Sequence, residues 1–166
     1  MKYIKSTDVI NSSAKAKSET NDCSVRAFAT ALDVSYDSAH EYVKNNFDRE
    51  NKKGVHKMMT KGFKLSGKVQ KVEDVEFKID LLPSSKITNE YKLHGEVISR
   101  KKTVKSFIKD FSKGIYLVLV SGHVFTVKDG IMIDNAGEEW RPTRKVEDVF
   151  EINVKKILEQ LELNLG

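Results

Sequence analysis

Apolar positions in this chain recur with two periods, helical in the first third and alternating thereafter. Thr20, Asn21 and Asp22 offer three successive N-cap residues, and Val25, Phe28, Ala29 and Leu32 follow at helical spacing, which predicts a helix starting at or just before Cys23. A second helix is predicted from Ser35 to Asn46, burying Tyr36, Ala39, Tyr42 or Val43, and Phe47, with Asn45-Asn46 as its stop. Gly54 to Lys61 predicts a short third helix carrying Val55, Met58 and Met59, ended by Gly62 through glycine's freedom at positive φ. From Phe63 to Ile79 the apolar residues Val69, Val72, Val75, Phe77 and Ile79 sit among charged neighbours, the pattern of a half-buried strand or hairpin. Leu81-Leu82-Pro83-Ser84-Ser85 breaks it, and Ile87 to Arg100 shows no decisive period.

Thr103 to Phe111 predicts a helix with Val104, Phe107, Ile108 and Phe111 on one face, ended by Gly114. Two strands follow, Ile115 to Val120 and Gly122 to Val127, then the Lys128-Asp129-Gly130 turn and a return strand from Ile131 to Asp134. A strand near Lys145 to Ile152 precedes an amphipathic C-terminal helix over 153–166, with Val154, Ile157, Leu158 and Leu161 inward. Residues 1–20, rich in Ser, Lys and Ala, read as a lead-in lying loosely over the surface. The fold class expected is α+β: an N-terminal helical lobe carrying the cysteine helix, packed on an antiparallel sheet, in one domain spanning 1–166.

Length and composition agree with that reading. A chain of 166 residues, 39% apolar and 32% charged, supports one domain with a real core. Its longest apolar run, Ile115 to Val120, is far short of the roughly 20 residues a membrane helix needs, and its start lacks an apolar core followed by a cleavage site. No membrane association and no export are expected. One cysteine, Cys23, excludes an internal disulfide and a thiolate-rich zinc site, so a reducing cytoplasm is the expected setting.

The formal charge is +5, and basic residues concentrate between Lys44 and Lys71 and again from Arg100 to Lys113. Such clusters attract acidic partners or nucleic acid. Lysine dominates over arginine and no aromatic-interleaved strand accompanies it, so nucleic acid is not the expected partner.

The sequence has no Gly-Lys-Ser/Thr phosphate loop, no Gly-x-Ser-x-Gly elbow and no His-Glu-x-x-His. His40, His56 and His94 have no ligand spacing and read as surface or partly packed side chains; no metal or other cofactor is expected. What remains is Cys23 at a helix start and His123 at the head of a strand, with Asp134 and Asn135 at the end of the strand that hairpins back. Unpaired N–H groups in a helix's first turn favour a thiolate, which makes Cys23 a nucleophile. The hairpin returns Asp134 or Asn135 to His123, where either can orient the imidazole. One residue of register decides between them; Asp134 is preferred because a charged acceptor stabilises imidazolium better.

The block Asn21-Asp22-Cys23-Ser24-Val25-Arg26-Ala27-Phe28-Ala29, followed by Lys113 to Val118 and by Ser121-Gly122-His123-Val124 through Asp134, resembles the papain-like cysteine peptidase superfamily. More narrowly it is similar to small papain-fold proteins of bacteria and tailed phages, over about Thr20 to Asp134. The resemblance implies Cys23 as nucleophile, His123 as general base and then acid, and Asp134 as the orienting group. It implies a protein or peptide substrate and, with the lysine- and asparagine-rich composition, a phage source and hence a host cytoplasm. Family members usually place a glutamine several residues before the cysteine; here none occurs before Gln70, and the equivalent stretch reads Lys17-Ser18-Glu19. Asn21, or the Cys23 N–H with one other donor, is left to stabilise an oxyanion. The alternative expectation is a degenerate papain-fold module that binds a host protein or acidic partner through the Lys44 to Lys71 face.

Overall fold

A computed structural model of the chain describes residues 2–10, 13–55, 57–134 and 143–155. The described residues form five α-helices, α1 (Ala14–Ser18), α2 (Cys23–Leu32), α3 (Tyr36–Phe47), α4 (Met58–Leu65) and α5 (Val104–Asp110). Nine strands accompany them: β1 (Lys2–Lys5), β2 (Gln70–Val72), β3 (Val75–Leu81), β4 (Thr88–Leu93), β5 (Glu96–Lys101), β6 (Ile115–Val120), β7 (His123–Lys128), β8 (Ile131–Asp134) and β9 (Asp148–Val154). Seven strands make one sheet in the order β1-β8-β7-β6-β9-β3-β2, while β4 and β5 form a separate hairpin.

The class is α+β as expected, but the sheet is mixed, because β1 pairs parallel to β8 with Lys5 beside Asp134. Residues 2–5 are therefore a strand of the sheet and not part of a loose lead-in. Four residues of alternation, Lys2-Tyr3-Ile4-Lys5, are too few to stand out in a sequence, and only the exposed edge of β8 gives them a partner.

Strand β6 explains the two-layered core. Leu117 and Leu119 face a cluster with α2 and α3, while Tyr116, Val118 and Val120 face a second cluster with α5. A strand covered on both sides has no polar face, which is why Ile115 to Val120 reads as an unbroken apolar run. In the first cluster Phe28 meets Tyr42 and Phe47 with ring centroids 5.1 and 5.3 Å apart, so α2 lies pressed between α3 and the sheet. Truncating a buried aromatic such as Phe28 costs about 3–5 kcal/mol.

Other boundaries differ for local reasons. Helix α4 runs through Gly62 instead of stopping there. A Cβ at Gly62 would come within 2.5 Å of the buried Phe150 ring, so glycine is required for close approach and not for a turn. Ile87 to Arg100 is the β4–β5 hairpin, closed by His94 and Gly95 at φ 52° and 81°, the type I′ signature. Strand β9 continues through Val154, which was expected in the C-terminal helix; residues 156–166 lie outside the described residues. No described helix is long and apolar enough to cross a membrane.

Candidate active site

Cys23 is the first residue of α2, where the backbone N–H groups have no carbonyl one turn back; the first such bond runs from Arg26 N–H to the Asp22 carbonyl at 3.0 Å. The helix is fixed along β7 by two buried hydroxyls. Thr126 donates to the Ala27 carbonyl at 2.6 Å, and its oxygen lies 2.9 Å from that of Thr30, which also reaches the Arg26 carbonyl. These contacts set how far along β7 the helix begins, and hence where Cys23 stands relative to His123, the first residue of that strand.

A tight Ser121-Gly122 connection between Val120 and His123 turns the chain into β7, with Gly122 at φ 70° where other residues are strained. Strands β7 and β8 pair Thr126 with Ile133, so Asp134 continues opposite Phe125, diagonal to His123 on the same face. His123 Nε2 lies 2.8 Å from both carboxylate oxygens of Asp134. Asp134 is 4% exposed, and the Tyr3 hydroxyl donates to its backbone carbonyl at 3.1 Å, anchoring the end of β8 from β1. Asn135, the alternative orienter, lies outside the described residues.

With Nε2 committed to the carboxylate, Nδ1 is the ring nitrogen left for the thiol, and the Cys23 side chain hydrogen-bonds to this imidazole. The two groups shift each other. Burial raises the thiol pKa, but the His123 hydrogen bond, the Val124 and Ser24 backbone N–H groups and the imidazolium charge outweigh it and hold Cys23 below its ordinary value. Burial pulls His123 down, yet Asp134 and the Cys23 sulfur, by hydrogen bond and by charge, push it up to about 9. Both directions favour thiolate beside imidazolium at neutral pH.

The pair lies open to solvent between two cavities. One, of about 230 Å³, is walled by Val55, Met58, Leu119 and Val124; the other, of about 340 Å³, has the polar side chains of Asn21, Asp22 and Arg26 along one side. Gly54 borders both, and no heavy atom lies within 4 Å of where its Cβ would be. Asn21 is exposed on the polar side at φ 51°, with its amide donating to the Lys52 carbonyl at 3.2 Å, so one of its two amide hydrogens is already engaged. The backbone N–H of Cys23, at the first position of α2, has no helical partner and is the other candidate oxyanion donor.

Sequence reasoning missed the frame around this centre. Asp22 does not cap α2 with its side chain; it accepts from Arg26 Nε at 3.0 Å and from the Tyr36 hydroxyl at 2.7 Å, tying the start of α2 to α3. The Asp22–Arg26 spacing of one helical turn was a readable signal; the Tyr36 partner was not. Glu19 is buried against Arg49, lies 3.3 Å from His40 Nε2 and accepts from the Lys52 N–H at 3.2 Å. That cluster pins the loop that carries Gly54 to the chain just before Cys23.

His40, expected at the surface or partly packed, is 4% exposed, and Arg49, counted in the basic stretch, is 3% exposed, while Lys53 and Lys61 are paired with Glu50 and Asp48. The stretch from Lys44 to Lys71 is not one free basic surface. His94 sits in the β4–β5 turn, and His56 lies outside the described residues. Among the described residues, no group of three His, Cys, Asp or Glu side chains is arranged to hold a metal ion. Comparison with protein-family models, with curated proteins and with solved structures finds no match to this chain.

Proposed function

We propose that the protein is a thiol-dependent acyl-transfer hydrolase, a peptidase or isopeptidase of papain-like type, acting on protein or peptide substrates in a reducing cytoplasm. The observation that carries the proposal is the line Cys23–His123–Asp134 opening onto a cleft, with a depressed thiol and a raised imidazole. The Cys23 thiolate attacks the scissile carbonyl carbon, and the electron pair of the carbonyl moves to oxygen, opposite the Cys23 N–H. As the tetrahedral species collapses, the C–N bond breaks and imidazolium His123 gives its proton to the leaving amine. Water then loses a proton to neutral His123 and attacks the thioester, releasing a carboxylic acid and restoring the Cys23 thiolate beside imidazolium His123. Asp134 keeps the ring in the tautomer that presents Nδ1 to sulfur.

Screening fluorogenic peptide amides and isopeptide conjugates tests this: turnover in the native protein and its loss in Cys23→Ala is the expected result. A second reading, a degenerate binding module of the same fold, is favoured by two features, the absence of a glutamine before Cys23 and the partly engaged Asn21 amide. If Cys23→Ala leaves the biological effect intact and no amide is cleaved, that second reading replaces the first.

A further inference from the structure

The β4–β5 hairpin contributes no strand to the main sheet and is exposed along most of both strands. Two properties concentrate on it. Among the described residues six large apolar side chains are exposed, and three of them, Tyr91 at 39%, Leu93 at 48% and Val97 at 62%, stand here. From Lys86 to Lys113, the hairpin together with α5 carries eight Lys or Arg against three Asp or Glu; Lys102 is buried against Asp110 and Lys101 pairs with Glu147, which leaves Lys86, Lys92, Arg100, Lys105, Lys109 and Lys113 against Glu90 and Glu96. Register places Tyr91 and Leu93 on one face, with Ile98 and Arg100 across from that row, and Val97 on the other. Asn89, on the Tyr91 face, reaches Ser106 at 3.5 Å, bringing α5 with its exposed Lys105 and Lys109 to the foot of the hairpin.

The hairpin is joined to the candidate active site through backbone bonds. Its feet are held by Leu82 N–H to the Val149 carbonyl and Val146 N–H to the Lys102 carbonyl, both 2.9 Å, and Glu147 N–H donates to the Leu119 carbonyl at 2.7 Å. Leu119 lines the cleft beside Cys23. The hairpin therefore rises from the same end of the sheet as His123.

We propose that this hairpin is a docking surface for an acidic protein, which it holds beside the Cys23 cleft; the role of that protein as substrate rests on the hydrolase reading. Exposed apolar side chains flanked by excess positive charge match a partner surface of aliphatic residues among carboxylates. A protein fits better than a nucleic acid, because the one aromatic ring on the hairpin, Tyr91, is already covered by the Arg100 guanidinium 5.6 Å from its centroid, and Glu90 and Glu96 interrupt the basic residues.

The test is fluorescence anisotropy on full-length Cys23→Ala protein with three labelled probes: a 20-residue peptide alternating Glu and Leu, the same peptide with Lys for Glu, and a 20-nucleotide oligothymidylate. The acidic peptide is expected to bind tightest. Leu93→Ser and Arg100→Glu, both exposed and outside the two core clusters, should each weaken it about fivefold or more, while Lys64→Glu on the other basic stretch changes little. Equal binding of the two peptides, an equal loss in Lys64→Glu, or tighter binding of the oligonucleotide overturns the proposal. Iodoacetamide labelling of Cys23 in Leu93→Ser and Arg100→Glu proteins that retain the thiol separates the two readings. Fast labelling with no hairpin-dependent binding defeats docking alone; hairpin-dependent binding with an unreactive thiol defeats hydrolysis alone.

Discussion

His123 and Asp134 sit diagonally across the β7–β8 pair, with Nε2 2.8 Å from both carboxylate oxygens of a residue that is 4% exposed. Together with the Cys23 sulfur, the carboxylate keeps the imidazole protonated against its own burial. Asp134→Asn keeps the shape and removes the charge, so His123, now at about 9, should fall by about 1–3 units. The thiol loses the imidazolium beside it and rises. NMR titration of the His123 ring checks the first shift, and the pH dependence of Cys23 alkylation checks the second.

Thr126→Val tests whether the distance from Cys23 to His123 is set from within the core. The substitution keeps volume but removes the hydrogen bond to Ala27 and the contact with Thr30, at a cost of about 1–3 kcal/mol. Urea unfolding should show that loss, and Cys23 labelling should slow although residue 126 touches no reacting atom. Unchanged labelling in the destabilised variant would mean that the helix is positioned by other contacts.

Much of this arrangement was legible in the sequence. Helical spacing behind Thr20-Asn21-Asp22 located Cys23 at a helix start, and Asp129-Gly130 fixed the hairpin that returns Asp134 to His123. Parity puts Asp134 on the face of Phe125 and His123, while Asn135 lies outside the described residues. What was not legible depends on partners distant in the chain. The parallel pairing of Lys2–Lys5 with β8, the Tyr36 hydroxyl on Asp22 and the burial of Arg49 against Glu19 leave no local period or spacing. Gly62 shows the same limit: it was read as a stop because glycine often is one, whereas the Phe150 ring that demands it lies in β9.

Gly62→Ala should therefore destabilise the protein. Alanine gains about 1 kcal/mol in helix propensity over glycine. Its methyl would stand 2.5 Å from the tip of a fully buried phenyl ring, and overpacking of that kind costs about 1–3 kcal/mol. A lowered urea midpoint is the expected outcome; a raised one would show that the Phe150 ring yields easily.

Gly54 borders both cavities beside Cys23, with open space where a side chain would go. Gly54→Leu should fill the cleft without straining the core. Labelling by a bulky maleimide is expected to slow about tenfold or more relative to the native protein, with little change for iodoacetamide, since a misplaced group near a reacting centre costs up to about a hundredfold. Equal slowing of both reagents would indicate a disturbed Cys23 instead of a blocked cleft.

The pH dependence of iodoacetamide alkylation, in native protein and in His123→Ala, tests the central claim most directly. A thiol held below its ordinary value of 9.0 by imidazolium stays nucleophilic into the acidic range, where a free cysteine is protonated. The account predicts that Cys23 reacts at pH 6 about tenfold or more faster than free cysteine, and that His123→Ala returns its titration to the ordinary thiol range. A rate at pH 6 no faster than that of free cysteine, or a profile unchanged by His123→Ala, would contradict it.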